Sequence, residues 1–82
     1  MRTILFKVEC ISNDVVQEIM AHLTQTLGFK EIIQPNEERP VLWGRVGSDR
    51  EKELYSNLGK LNRDKSNAIL KFTVRDQNTA KH

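Results

Sequence analysis

The sequence predicts one α+β domain in which two helices cover one face of a four-stranded antiparallel sheet. Two segments alternate between apolar and polar residues, which is the period of a half-buried strand. Two others repeat apolar residues every three to four positions, which is the period of an amphipathic helix. The chain has 82 residues, enough for one hydrophobic core and too few for two.

The first strand is predicted over residues 2–10, and a helix follows it directly. The apolar face of the strand consists of Ile4, Phe6, Val8 and Cys10. Residues 12–14, SND, are good N-cap residues, and apolar residues then recur at four-residue steps from Val15. Gly28 stands where a helix commonly ends in the left-handed conformation.

The second half repeats the pattern after a hairpin. Residues 30–34 and 41–47 are predicted strands joined by the polar connection 35–40. Ser48 and Glu51 have the spacing of a capping box, so a helix is expected to start there and to terminate or fray near Gly59. The last strand alternates over residues 68–75, which closes a domain at 1–76 and leaves 77–82 as a polar tail. Because βαβ crossovers are right-handed, this order predicts a ferredoxin-like β-α-β-β-α-β sandwich.

One face of such a sheet stays uncovered. We take Ala68, Leu70, Phe72 and Val74 to face the helices, and the first and last strands to lie beside each other or centrally. In the third strand, Arg45 is placed outward because burying it unpaired would be costly. The predicted open face consists of Leu5, Lys7, Trp43, Arg45, Ile69, Lys71, Thr73 and Arg75.

Three uses of this face are open. The first is a sheet-to-sheet homodimer with Leu5, Trp43 and Ile69 as its buried anchors. The second is binding of single-stranded nucleic acid, whose bases would stack on Trp43. In the third, the face is only solvated. RNA-recognition domains share the topology but carry aromatic residues on both central strands. Here Phe6 is predicted to face the core, so Trp43 is the one aromatic residue on the face.

Charge and cysteine usage limit the partners. Residues 1–40 hold four Lys/Arg and six Asp/Glu, whereas residues 41–82 hold nine and five, so an anionic partner would meet the second half first. The single cysteine excludes an internal disulfide and fits a reducing, cytoplasmic compartment. No apolar run approaches the roughly 20 residues that span a membrane.

Catalytic and metal-binding patterns are weak. The sequence has no CxxC or HxxxH spacing and no carboxylate cluster, so neither a metal nor a cofactor is expected. If the chain were an enzyme, Arg45 or Arg50 would contact a transferring phosphate, and Glu9 or Asp14 would serve as base or metal ligand. Cys10 is expected to be a buried structural thiol and His22 a boundary residue of the first helix.

The segments ILFKVE, VLWGRVGSDREKELYSNL and AILKFTV resemble, in their order, small ferredoxin-like proteins. These are the dimeric nuclease-fold subunits of CRISPR adaptation complexes and related endoribonuclease antitoxins. Nuclease members end the first strand with Asp, where this chain has Glu9-Cys10. The resemblance implies a homodimer with a nucleic-acid connection. The basic second half, Trp43 and Arg45, and the lack of a catalytic set favour a non-enzymatic homodimeric binding or regulatory module that contacts RNA or a nucleic-acid machine. The alternatives are an endoribonuclease of the antitoxin type and a protein–protein adaptor with no nucleic acid.

Overall fold

The computed structural model of the chain describes residues 2–76; the predicted tail at 77–82, with His82, lies outside them. The elements are β1 (Thr3–Cys10), α1 (Asn13–Gln25), β2 (Glu31–Ile33), β3 (Val41–Gly47), α2 (Glu51–Asp64) and β4 (Ile69–Asp76). The strands form one antiparallel sheet in the order β2-β3-β1-β4. The ferredoxin-like α+β fold is confirmed. Neither helix within residues 2–76 is long and apolar enough to cross a membrane.

Both predicted ends of α1 are confirmed. The Ser12 hydroxyl accepts a hydrogen bond from the Val15 amide at 3.4 Å, which caps the first turn. At the other end Gly28 adopts φ +72°, and its amide donates to the Thr24 carbonyl at 3.1 Å. A residue with a Cβ is disfavoured in this left-handed conformation, so glycine ends the helix here.

The start and end of α2 differ from the prediction. Ser48–Arg50 form a short 3₁₀ turn, and no side chain caps either that turn or α2, so the capping box is wrong. Gly59 lies inside the helix, which continues to Asp64. A glycine in a helix costs roughly 1 kcal/mol relative to alanine, but Leu54 and Leu58, which precede Gly59 in the helix, are buried and hold it on the sheet.

A single hydrophobic core lies between the sheet and the helices. Four alternate residues of β1 contribute to it, as their period predicted. The buried set is Ile4, Phe6, Val8, Cys10, Val15, Val16, Ile19, Leu23, Phe29, Leu42, Leu54, Leu58 and Ala68. Every strand residue in this set faces the same side, so the reverse of the sheet is free of helices.

The centre of the sheet depends on one close approach. Phe6 of β1 pairs with Gly44 of β3 in the register, and the Phe6 ring lies over the glycine backbone. A Cβ at position 44 would come within 2.1 Å of Phe6 Cζ. Since the Phe6 side chain is almost fully buried, this ring has no free space to move into.

The position and phase of β4 correct two predictions. The central strands are β1 and β3, and β4 lies at an edge. A bulge opposite Glu9 and Cys10 inserts Leu70 as an extra residue, which leaves Leu70 68% exposed instead of facing the helices. Ile69, predicted on the open face, pairs with Cys10 and packs against the core. The predicted alternation is correct for Ala68 and from Lys71 onward, and wrong for Ile69 and Leu70.

Candidate binding surface on the open sheet face

The strand register arranges the uncovered side of the sheet in rows that run across the strands. The arginine row contains Glu31, Arg45, Leu5 and Arg75, in the order β2-β3-β1-β4. The tryptophan row contains Ile33, Trp43, Lys7 and Thr73, and a shorter row contains Val41, Glu9 and Lys71. We call these three rows the open face. Neighbours within a row have Cβ atoms about 5 Å apart, so their side chains touch or nearly touch.

An apolar strip crosses three strands of the open face. Ile33 is 60% exposed and Trp43 is 39% exposed, and Leu5 lies beside them on β1. A cavity of about 390 Å³ lies along this strip, lined by these three residues and by Arg45. Contiguous exposed apolar side chains rimmed by charges are typical of contact surfaces.

The charges of the open face are partly neutralised within the chain. Arg45 forms an ion pair with Glu31, and the Lys7 ammonium lies 3.7 Å from Glu9. Lys7 also lies over the indole of Trp43, 5.3 Å from the ring centroid. Such an exposed cation–π contact is worth about 0.5–1 kcal/mol, so another charged or aromatic group can displace it.

Two cations of the open face have no acidic partner among the described residues. Neither Lys71 nor Arg75 forms an ion pair with any residue in the range 2–76. Both lie on β4, and together with Trp43 they line a second cavity of about 240 Å³. The open face therefore has a surplus of positive charge at its β4 edge.

Most of the face was predictable. Leu5, Lys7, Trp43, Arg45, Lys71, Thr73 and Arg75 lie on it; Ile69 does not. The prediction missed Glu31 and Ile33 of β2. Because Ile32 and Ile33 are adjacent in a three-residue strand, either of them could face the core. Only the pairing with β3 decides that Glu31 and Ile33 face outward. The acid that neutralises Arg45 was missed for the same reason.

The four residues considered as catalytic candidates do not form one group. Glu9 and Arg45 lie on the open face two rows apart, which is roughly 13 Å along a strand. Arg50 bonds to Glu53 and lies 4.8 Å from the centroid of Phe29, a core residue. Asp14 lies in the first turn of α1. Within residues 2–76, no group of three His, Cys, Asp or Glu side chains could hold a metal ion.

Cys10 lies in the core, as expected, with 1% of its surface exposed. Burial raises the pKa of its thiol from an ordinary 9.0 to about 11. The thiolate, which is the reactive form, is therefore scarce at neutral pH, and the sulfur is also inaccessible to reagents. His22 lies between the helices, where its Nε2 is 3.0 Å from the Asn57 Oδ1.

We expect Cys10 to react with Ellman's reagent only when the protein unfolds. At pH 8 the native protein should show no fast thiol, whereas the urea-unfolded chain should react at once.

Because the folded state holds the thiol proton of Cys10 to higher pH than the unfolded chain does, this thiol's contribution to the free energy of unfolding should be full below pH 9 and should be lost as the pH rises toward 11. Urea titrations of Cys10→Ala should not show this loss of stability at alkaline pH. In the reagent test, a native thiol that reacts fast would contradict the burial of Cys10.

Comparison with known proteins finds no matching family model, no matching curated protein and no matching solved structure for this chain.

Proposed function

We propose that this chain is a non-catalytic homodimeric binding or regulatory module that self-associates through its open face. The observation that supports this is the apolar strip of Ile33, Trp43 and Leu5, which has charged residues around it. Protein interfaces have this anatomy, with an apolar, aromatic-rich centre and a polar rim. Aromatic residues such as Trp43 are frequent among the few that carry most of the binding energy.

The size of the open face fits a reversible dimer. Three strands of seven or eight residues and a fourth of three residues, each about 4.8 Å wide, cover roughly 400 Å² per protomer. Two such flat faces bury roughly 800 Å², and protruding side chains add to this area. The total lies below the roughly 1,200 Å² at which standard specific interfaces begin, in the range of weak, transient ones. We therefore expect a dissociation constant in the micromolar range.

The edges of the sheet are poorer candidates for self-association. Edge strands pair readily when they are long, flat and uncharged. β2 has three residues, and β4 carries the bulge at Leu70 together with Lys71 and Arg75. Short length, a bulge and lysine are features that discourage strand addition. These obstacles concern strand pairing at an edge, whereas the open face would associate through its side chains.

Analytical ultracentrifugation over a dilution series tests the proposal. The native protein should dissociate from dimer to monomer on dilution, and Ile33→Glu should be monomeric throughout, because it places a charge in the apolar strip. Ala21→Glu introduces the same side chain at an exposed position of α1 and should leave the dimer intact. A native protein that is monomeric at every concentration would reject self-association.

A second candidate function is the binding of single-stranded RNA on the same face. The observation that favours it is that Lys71 and Arg75, which form no ion pair within the part of the chain that the structure describes, lie beside the exposed indole of Trp43. Single-stranded nucleic acid is held by cations along its backbone and by aromatic stacking of its bases. Since the two uses share one face, bound RNA would displace the second protomer.

Fluorescence anisotropy with a labelled single-stranded oligoribonucleotide tests this candidate. If RNA binds here, the affinity should fall steeply with salt, and Lys71→Glu/Arg75→Glu should abolish it. Lys52→Glu/Arg63→Glu makes the same charge change on exposed positions of α2 and should have a much smaller effect. Absence of salt-dependent binding by the native protein rejects RNA and leaves the dimer as the use of this face.

A further inference from the structure

We infer that the two copies in the proposed dimer are related by a two-fold axis parallel to the strands, so that β2 of one protomer lies over β4 of its partner. This arrangement rests on the proposed self-association and adds the identity of the contacts. It makes Glu31 and Arg75 an intermolecular ion pair that occurs twice in the dimer.

The arginine row carries the argument. Across the sheet it reads Glu31, Arg45, Leu5 and Arg75. A two-fold axis along the strands reverses this order in the partner, so Glu31 meets Arg75 of the partner subunit and Arg45 meets Leu5 of the partner subunit. A carboxylate has two oxygens and can accept from both guanidinium groups, so Glu31 keeps its bond to Arg45 while it binds the second cation. Arg75 thereby gains the acidic partner that it lacks within residues 2–76.

The tryptophan row is compatible with the same axis. Reversal of Ile33, Trp43, Lys7 and Thr73 places Trp43 over Lys7 of the partner subunit and Ile33 over Thr73 of the partner subunit. The first contact is a cation over an indole, the combination that already exists within one chain. The second joins an isoleucine to the methyl group of a threonine. No two like charges face each other in either row.

The other in-plane two-fold axis, perpendicular to the strands, is disfavoured by charge. It would place each strand over its own copy, and β4 would meet β4 of the partner subunit. If this axis passes through the tryptophan row, Arg75 faces Lys71 of the partner subunit and Lys7 faces Lys7 of the partner subunit. If it passes through the arginine row, Arg75 and Arg45 each face their own copies. Juxtaposed like charges oppose association, so the electrostatics of the face select the axis along the strands.

Complementary charge reversal tests this arrangement. In Glu31→Lys the new lysine would face Arg75 of the partner subunit twice, and in Arg75→Glu the new glutamate would face Glu31 of the partner subunit twice. Each variant alone should therefore dimerise about tenfold more weakly than the native protein. An equimolar mixture should form a heterodimer close to native affinity, because both pairs then join opposite charges. One variant carrying a fluorescent label allows the heterodimer to be followed by sedimentation.

A control separates specific pairing from net charge. Arg63→Glu makes the same reversal on the exposed side of α2. It should dimerise like the native protein. Mixed with Glu31→Lys it should form a heterodimer of only intermediate affinity, because one of the two pairs still joins like charges. Heterodimer formation requires that both variants fold, so a misfolded variant cannot imitate the expected result; circular dichroism of each variant checks the fold independently.

The outcomes distinguish the two proposals. Restored affinity in the mixture supports the axis along the strands. If the native protein is a dimer that Ile33→Glu disrupts, but both charge variants dimerise normally or the mixture is no tighter than either, the open face is the interface and the axis is wrong. If the native protein is monomeric, self-association and the axis are both rejected.

Discussion

Replacement of Gly44 by alanine should destabilise the fold by about 3 kcal/mol, at the upper end of the range for overpacked cores. The new Cβ would come within 2.1 Å of Phe6 Cζ, and the Phe6 ring is 1% exposed, so the two central strands would have to move apart. A domain of this size has a free energy of unfolding of roughly 4–12 kcal/mol, so this is a large share of its stability. Urea unfolding followed by circular dichroism measures the change.

The same substitution at Gly59 should have the opposite sign. An added Cβ there meets nothing within 4 Å, and the residue lies inside α2. Alanine should therefore raise the free energy of unfolding by about 0.5–1 kcal/mol through its higher helix propensity. Phe6→Leu should relieve part of the damage in the Gly44→Ala background, as a double-mutant cycle would show. If Gly44→Ala is as stable as the native protein, Phe6 does not lie over Gly44 and the central register is wrong.

Replacement of Trp43 by alanine should weaken the proposed dimer about 30-fold or more, as expected for loss of an aromatic anchor worth about 2 kcal/mol. The side chain lies at the centre of the apolar strip and is 39% exposed in the single protomer. Trp43→Phe should keep most of the affinity, because the ring still fills the centre of the contact. Sedimentation of each variant over a dilution series gives the dissociation constants.

Tyr55 provides the matched control for Trp43. It is also an exposed aromatic residue, 48% accessible, but it belongs to α2 and packs against Phe72 with ring centroids 4.9 Å apart. Tyr55→Ala removes a comparable ring from the helical side of the domain and should leave the dissociation constant unchanged. Equal weakening by both variants would mean that general destabilisation, and not the open face, controls association.

The elements of the fold could be predicted because their signals are local. Alternation along β1 marks its buried face, Ser12 accepts the bond that starts α1, and Gly28 supplies the positive φ that ends it. The positions of the two helices follow from the same kind of short-range pattern. These features depend on residues within a few positions of one another, so one sequence is enough to recognise them.

Apart from the two ends of α2, where the local signals of Ser48 and Gly59 were misleading, the errors arose where long-range pairing decides the structure. The bulge that turns Leu70 outward exists only because β4 pairs with β1, and no residue near it signals the extra position. The first and last strands are adjacent, which was one of the two predicted arrangements, but the last strand lies at an edge and not at the centre, because strand order depends on how the two βαβ units are placed in the sheet. The phase of β2 is set by β3, so Ile33 and Glu31 could not be placed on the open face. The bulge removes Ile69 from the predicted open face. The strand β2 adds Glu31, the acid of the proposed ion pair.

The fluorescence of Trp43 over a dilution series tests the central proposal most directly, since it is the chain's one tryptophan and lies on the open face. Self-association through this face would cover the indole. Its emission should shift to the blue and become protected from acrylamide quenching as concentration rises, with the same midpoint that sedimentation gives for dimer formation. A dimer whose tryptophan emission and quenching stay constant across that midpoint would contradict the account, because the contact would then lie elsewhere on the molecule.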